Sequence, residues 1–190
     1  MSHERGVRIV DMPADTVDYF KKLSGYDTLR LVLAKRVILV EGPSDELIVQ
    51  RAYLDLYGRL PIEDGIDVIN VRGLSAKRFL DIAVPLQKRV SVVNDNDGDG
   101  AAVTAKYAGY TRHSFITVHI GKGNHWKTLE PQILAANGRE VINDVLGTSY
   151  STDGELLGYM QANKTTCALA IFESTKQITM PEYIRDAIAN

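Results

Sequence analysis

The chain has a single cysteine, Cys167, in 190 residues, which rules out an intramolecular disulfide and a cysteine-based zinc site. A reducing, cytoplasmic setting is the simplest expectation. No apolar run approaches the ~18 residues that a membrane-spanning helix needs. The start, Met1-Ser2-His3-Glu4-Arg5, lacks the apolar stretch of a secretion signal, so neither a membrane span nor export is expected. A large charge of one sign is missing as well. The formal net charge of −2 argues against coating nucleic acid by bulk electrostatics and leaves local basic patches as the route to it. Internal repeats and low-complexity tracts are also absent. What is present, 45% apolar and 24% charged residues, suffices for one domain of ordinary size, or one domain with a helical appendage.

The arrangement centres on residues 36–46, Arg-Val-Ile-Leu-Val-Glu-Gly-Pro-Ser-Asp-Glu. Four consecutive β-formers ending in Glu41-Gly42-Pro43 predict a buried strand that stops at a sharp corner with an acid at its tip. Ser44 and the acids after it then predict a helix start, with Leu47, Ile48, Ala52 and Tyr53 at helical spacing. Upstream, residues 1–30 are polar and weakly patterned, with a turn at Asp11-Met12-Pro13 and a short helix over 15–23. Leu29, Leu31, Val32 and Leu33 are expected to lead directly into the first strand. Downstream, β-rich runs at 66–71, 90–93 and 115–120 alternate with helical patterns at 76–86 and about 101–109. This rhythm predicts an α/β fold, a parallel sheet flanked by helices. From 128 onward only helical periods remain: about 128–137, 139–146, 153–173 with a break near Asn163, and 181–189. They predict an α-helical C-terminal elaboration.

The strongest local chemical signal is Asp95-x-Asp97-x-Asp99-Gly100 directly after the third strand. Three carboxylates at alternate positions concentrate negative charge that a cation would neutralise, and hard oxygen donors favour Mg²⁺, Mn²⁺ or Ca²⁺ over zinc. An EF-hand loop fails at its twelfth position, where Lys106 stands in place of a bidentate Glu, and because a strand precedes it. A plain solvated Asp/Gly turn stays open for the loop by itself. In open α/β sheets, sites form beyond the carboxyl ends of the strands. Adjacent first and third strands would therefore bring Glu41, Asp45, Asp95 and Asp97 into one small volume.

These residues match a family pattern. Val40-Glu41-Gly42 after one strand and Asp95-x-Asp97-x-Asp99 after another resembles the Toprim domain of topoisomerases, bacterial primases and several nucleases. Asp27-Thr28-Leu29-Arg30, the 37–46 stretch, Lys127-Thr128-Leu129-Glu130 and Asn163-Lys164-Thr165-Thr166-Cys167-Ala168 more specifically resemble the C-terminal region of OLD-family (overcoming lysogenization defect) nucleases, over roughly residues 27–175. The resemblance implies a DNA endonuclease, nicking or cleaving phosphodiesters with two divalent ions, Mg²⁺ or Mn²⁺, with Ca²⁺ able to bind. It also implies a covalently linked N-terminal ABC-type ATPase domain in the full-length protein. This chain has no Gly-x-x-x-x-Gly-Lys-Ser/Thr phosphate loop. Residues 1–34 are accordingly expected to be a connection, 35–125 the catalytic core, and 126–190 a helical part contributing to the site. The resemblance leaves room for a homo-oligomer.

By the same resemblance, Glu41, Asp45, Asp95, Asp97, Asp99 and Glu130 are the metal-ligand candidates, with Glu41, Asp97 and Lys164 catalytic. Lys164 would stabilise charge on the transferring phosphate. Asp99 matters in type II topoisomerases, whereas nuclease relatives depend mainly on the first two acids. Glu130 near a helix start also has a simple dipole role, and a lysine at a helix N-terminal turn stands where the dipole disfavours it. Gly73 and Ser75 are candidates for site support, and Lys77, Lys122, His125 and Lys127 for DNA contacts. The rival readings are an Mg²⁺-binding receiver-like signalling module and a catalytically silent DNA-binding Toprim domain. Receivers, however, carry paired acids after strand one and a single one after strand three, whereas the larger cluster here follows strand three.

Overall fold

A computed structural model describes residues 26–72, 75–123 and 126–189, together with Ala14 and Val17. Its centre is a four-stranded sheet, β1 (Arg36–Val40), β2 (Ile66–Asn70), β3 (Arg89–Asn94) and β4 (Ile116–Ile120), in the order β2-β1-β3-β4 with every pair parallel. β1 is buried along its whole length, as a parallel strand covered on both faces must be, and this explains its unbroken Val-Ile-Leu-Val run. The α/β expectation is met. All four strands lie where the sequence predicts them.

Nine helices are described around the sheet: α1 (Tyr26–Leu33), α2 (Pro43–Tyr57), α3 (Ala76–Ala83), α4 (Gly100–Thr111), α5 (Leu129–Asn137), α6 (Arg139–Leu146), α7 (Asp153–Ala162), α8 (Lys164–Glu173) and α9 (Glu182–Ala189). The predicted break at Asn163 is the boundary between α7 and α8. Alternate strand residues divide the core into two. Leu39 and Val92 point to the face covered by α1, α3 and α4, where Phe79, Leu80, Val103 and Tyr107 are buried. Ile38, Val40 and Val93 point to the other face, where they share one apolar cluster with α2 and with Leu129, Ile133, Leu156, Ile171 and Ile184 from the C-terminal helices.

One expectation is corrected. Leu29, Leu31, Val32 and Leu33 do not lead directly into the strand but lie on α1. The helix is fixed by Arg30, whose guanidinium donates to both Asp67 oxygens at 3.0 and 2.6 Å and to the Val68 carbonyl at 2.8 Å, while Leu31 is fully buried. Hydrophobic residues that looked strand-like in isolation form a helix because Arg30 and Leu31 meet the edge strand β2. Of the helix predicted over 15–23 only Val17 is described, and the site candidates Gly73 and His125 lie outside the described residues.

Candidate metal centre

The sheet order reverses between β1 and β3: the chain leaves β1 toward β2 on one side and β3 toward β4 on the other. This is a switch point, where crossover connections diverge and leave a crevice at the carboxyl ends of the strands. Glu41 follows β1 and Asp95 follows β3, so both acids stand at this crevice. Asp45 is reached by the turn into α2, where Pro43 opens the helix and the Asp45 carboxylate accepts the Gly42 N–H at 3.0 Å.

The C-terminal helices supply two further members. Glu130, in the first turn of α5, is buried; its Oε2 accepts the Thr128 hydroxyl at 2.7 Å and lies 3.3 Å from the Lys164 ammonium. Lys164 opens α8 and stays half exposed. Arg51 aligns the helices that carry these groups. It is buried on α2 and donates to the carbonyls of Ile171 (2.5 Å), Phe172 (3.3 Å), Ser174 (2.5 Å) and Lys176 (2.8 Å) at the end of α8. Arg51 and Ile171 each lie about two turns into their helix, so α2 and α8 run side by side with both N-termini at the crevice.

The electrostatics record the crowding. Burial, then Asp97 and Asp45, holds the Glu41 carboxyl above its ordinary range. Asp45 is pushed up to about 6 by burial and Glu130, with the Gly42 N–H pulling the other way. Asp95 is pushed up to about 8 by burial, then Asp45, Glu41 and Glu130, partly offset by Lys164. The Asp95 Oδ1 atom is buried with no hydrogen-bond partner, as is the hydroxyl of Tyr183 on α9, which burial and these same acids hold well above its normal range. As the side chains stand, no three acids, histidines or cysteines among the described residues are gathered closely enough to ligate one ion together. The donor set nevertheless fits a hard divalent ion: oxygen atoms only, raised proton affinities at Glu41, Asp45 and Asp95, and a buried acceptor left without a partner.

Residues 32–97 match the family model described as "Overcoming lysogenization defect protein-like, TOPRIM domain". This stretch is similar to an OLD-like Toprim domain. Among solved structures, the C-terminal region of the Xanthomonas campestris pv. campestris OLD protein aligns with a TM-score of 0.58 and 20% identity, covering 82% of this chain and 93% of that one. The C-terminal region of the Burkholderia pseudomallei OLD protein aligns with a TM-score of 0.59 and 18% identity, covering 82% and 96%. At such identities the likeness is one of fold. No curated protein sequence matches the chain.

At the end of this Toprim-like stretch, the acidic loop is a folded device. Asp97 takes a left-handed conformation with φ 51°, followed by Gly98 at φ 87°, a turn in which Asp is among the few side chains tolerated. Asn96, 1% exposed, donates to the carbonyls of Gly121 (3.0 Å), Gly123 (2.9 Å) and Trp126 (3.3 Å) and accepts from the Gly98 N–H at 2.8 Å. The Lys127 carbonyl accepts the Asp97 N–H at 3.3 Å, and the Lys127 side chain lies over Gly98, where an added Cβ would meet its Cε at 3.0 Å. The loop after β4 is thereby clamped to the acidic loop, with Lys127 beside Asp97.

The other predicted residues fall as follows. Asp99 is exposed and caps α4, accepting the Ala102 N–H at 3.0 Å. Ser75 precedes α3 without a side-chain cap and lines a cavity beside Glu41. Lys122 is exposed and pairs with Glu182 at 2.8 Å, and Lys77 is half-buried on α3. Sequence reasoning missed Asn94, Asn96, Tyr107, Arg51 and Thr128. The two asparagines that alternate with the aspartates are not singled out by the sequence. Their signal was position: Asn94 ends a strand that is buried from its second residue onward, where a polar side chain must find a partner.

Proposed function

We propose that this domain is a metal-dependent DNA endonuclease that hydrolyses phosphodiester bonds, the nuclease part of an ATPase-nuclease whose ABC-type ATPase domain is covalently joined on the N-terminal side. The observation that carries this reading is the meeting of Glu41, Asp45, Asp95 and the Glu130–Lys164 pair at one switch point, around a buried carboxylate oxygen with no partner.

Glu41, Asp45, Asp95, Asp97 and Glu130 would hold two divalent cations, Mg²⁺ or Mn²⁺, which would lower the pKa of an attacking water and offset phosphate and leaving-oxygen charge. The protein's own residues do the rest. Partial burial of Asp45 and Asp95 limits how far water can screen them. Glu130 holds Lys164 at the rim, and exchange of that ion pair for a phosphate oxygen would place an ammonium against the charge of the transferring group. Among the described candidates Lys77, Lys122 and Lys127, Lys127, fixed over Gly98, is the best placed to meet the backbone next to the scissile phosphate. Asp99 is assigned a capping role and no metal.

The test is nicking of supercoiled plasmid by the chain with Mg²⁺, Mn²⁺ or EDTA, beside folded Glu41→Ala, Asp97→Ala and Lys164→Ala proteins. Cation-dependent nicking that falls at least ~100-fold in the Glu41 and Asp97 variants is expected. EDTA-resistant cleavage, or full activity in those variants, would sink the reading.

A further inference from the structure

Glu41 is pulled two ways. β1 and β3 pair with Leu39 opposite Val92, so two residues further on Glu41 stands opposite Asn94, on the side of the sheet that faces α3 and α4. A cavity of about 300 Å³ opens on that side, lined by Glu41, Ser75, Val71, Asn94, Lys106 and Tyr107. Lys106, its ammonium 5.4 Å from the Tyr107 ring centroid, attracts Glu41 from there. Asp97, Asp45 and Asp95 repel it, and Lys164 attracts it from the metal side more weakly than Lys106 does. Left alone, the carboxylate has both room and reason to turn toward Lys106.

Two buried side chains oppose this. The Asn94 Nδ2 donates to Glu41 Oε1, and the Tyr107 hydroxyl donates to Asn94 Oδ1 at 3.0 Å. Asn94 is 3% exposed and Tyr107 1% exposed. The direction of this chain of hydrogen bonds follows from the chemistry of its ends. An ionised carboxylate only accepts, so the amide must present its NH₂ to Glu41, and its oxygen is then left for the phenol proton. Glu41 Oε2 accepts no hydrogen bond among the described residues. One oxygen of Glu41 is tethered at the strand ends and the other is left for a ligand.

We propose that Asn94 and Tyr107 are positioning residues that hold Glu41 in register with the acidic crevice, against the pull of Lys106, so that the carboxylate is set before a divalent cation arrives. This rests on the metal-binding part of the function proposed above. Such outer partners of a ligand typically govern 10- to 100-fold in metal affinity.

The test is titration of Mn²⁺ into the full chain by calorimetry, without DNA, for wild type, Tyr107→Phe, Asn94→Ala, Lys106→Met and the Tyr107→Phe/Lys106→Met double variant. Thermal melts of each would confirm folding. Affinity should fall about 10-fold in Asn94→Ala and ~3- to 10-fold in Tyr107→Phe. Removing the competing ammonium should recover most of the loss in the Tyr107→Phe background but improve wild type by less than about 2-fold, a non-additivity expected only of coupled groups. Wild-type affinity in both single variants, or an equal gain from Lys106→Met in both backgrounds, would overturn the proposal and leave the pair as ordinary core. Plasmid nicking separates the two readings. A wild type that binds Mn²⁺ but never nicks DNA refutes the nuclease reading while the coupling result still decides the relay. A wild type that binds no Mn²⁺ refutes both.

Discussion

Asn96 uses both ends of its side-chain amide, and none of its partners is a residue that the sequence would suggest. Its neighbours Asp95 and Asp97 are the chemically conspicuous members of the loop, yet Asn96 joins that loop to the 121–127 segment and so sets where both acids point. Replacing it by Ala strips a donor from three carbonyls. With about 1–3 kcal/mol for an unsatisfied buried group, the variant should lose about 2 kcal/mol, a fall in Tm of about 4–8 °C at this chain length. Its Mn²⁺ affinity should drop as well, because Asp97 loses the turn that holds its left-handed backbone. Circular-dichroism melts decide it: a Tm within about 1 °C of wild type would mean that the three contacts contribute nothing net.

At the scale of elements, the site depends on helices that agree in direction. Asp45 stands in the first turn of α2 and Lys164 opens α8, and Arg51 is the bolt between the two helices, spending its guanidinium on the carbonyls at the far end of α8 and on Asp55 at 2.7 Å. Arg51→Met keeps the apolar stem and removes the donors. An expected cost of about 2–4 kcal/mol follows from the loss of several charge-assisted bonds in a buried place. Hydrogen exchange should accelerate selectively over residues 164–176. Plasmid nicking should decline more than Mn²⁺ affinity does, since Lys164 shifts while the acids after β1 and β3 stay in place. Uniform exchange across the chain would contradict this division. Arg36 does a similar service for α9, donating to the Ala187 and Ile188 carbonyls and to Ser91, which ties the last helix to the sheet.

For the whole molecule, the acid cluster is a stability cost that depends on pH. Asp95, pushed up to about 8, binds its proton more tightly folded than unfolded. The stability it contributes is full below the ordinary carboxylate range and is lost as pH rises through about 8. Asp45, near 6, loses its share earlier, and in that lower range His119, held below its usual value by burial, works in the opposite sense. Between about pH 7 and 8.5 Asp95 therefore dominates. In EDTA, Tm should fall across this window by several degrees. Asp95→Asn should flatten the slope and raise Tm at the alkaline end, and millimolar Mg²⁺ should restore wild-type Tm by binding only the folded form. A pH-independent Tm would show that Asp95 is not buried among the other acids. Among the described residues no helix is long and apolar enough to cross a membrane.

Much of this protein was determined by local sequence. The unbroken Val-Ile-Leu-Val of β1 and the Val-Ser-Val-Val of β3 demand burial on both faces, which forces a parallel sheet with helices outside it. Glu41-Gly42-Pro43 and the alternating aspartates mark the strand ends at which a site could form. Tertiary structure alone decided what those marks mean. Adjacency of β1 and β3 brings acids 54 residues apart to one crevice. Packing of α5 and α8 on the same face adds Glu130 and Lys164, and the loop after β4 closes on Asn96. Leu29 to Leu33 read as an approach to the strand because their helical character depends on Arg30 meeting Asp67, thirty-seven residues away. The Tyr107–Asn94–Glu41 chain was illegible for the same reason: a hydrogen bond between buried side chains has no periodicity, and exists only once a helix has been laid across the end of a strand.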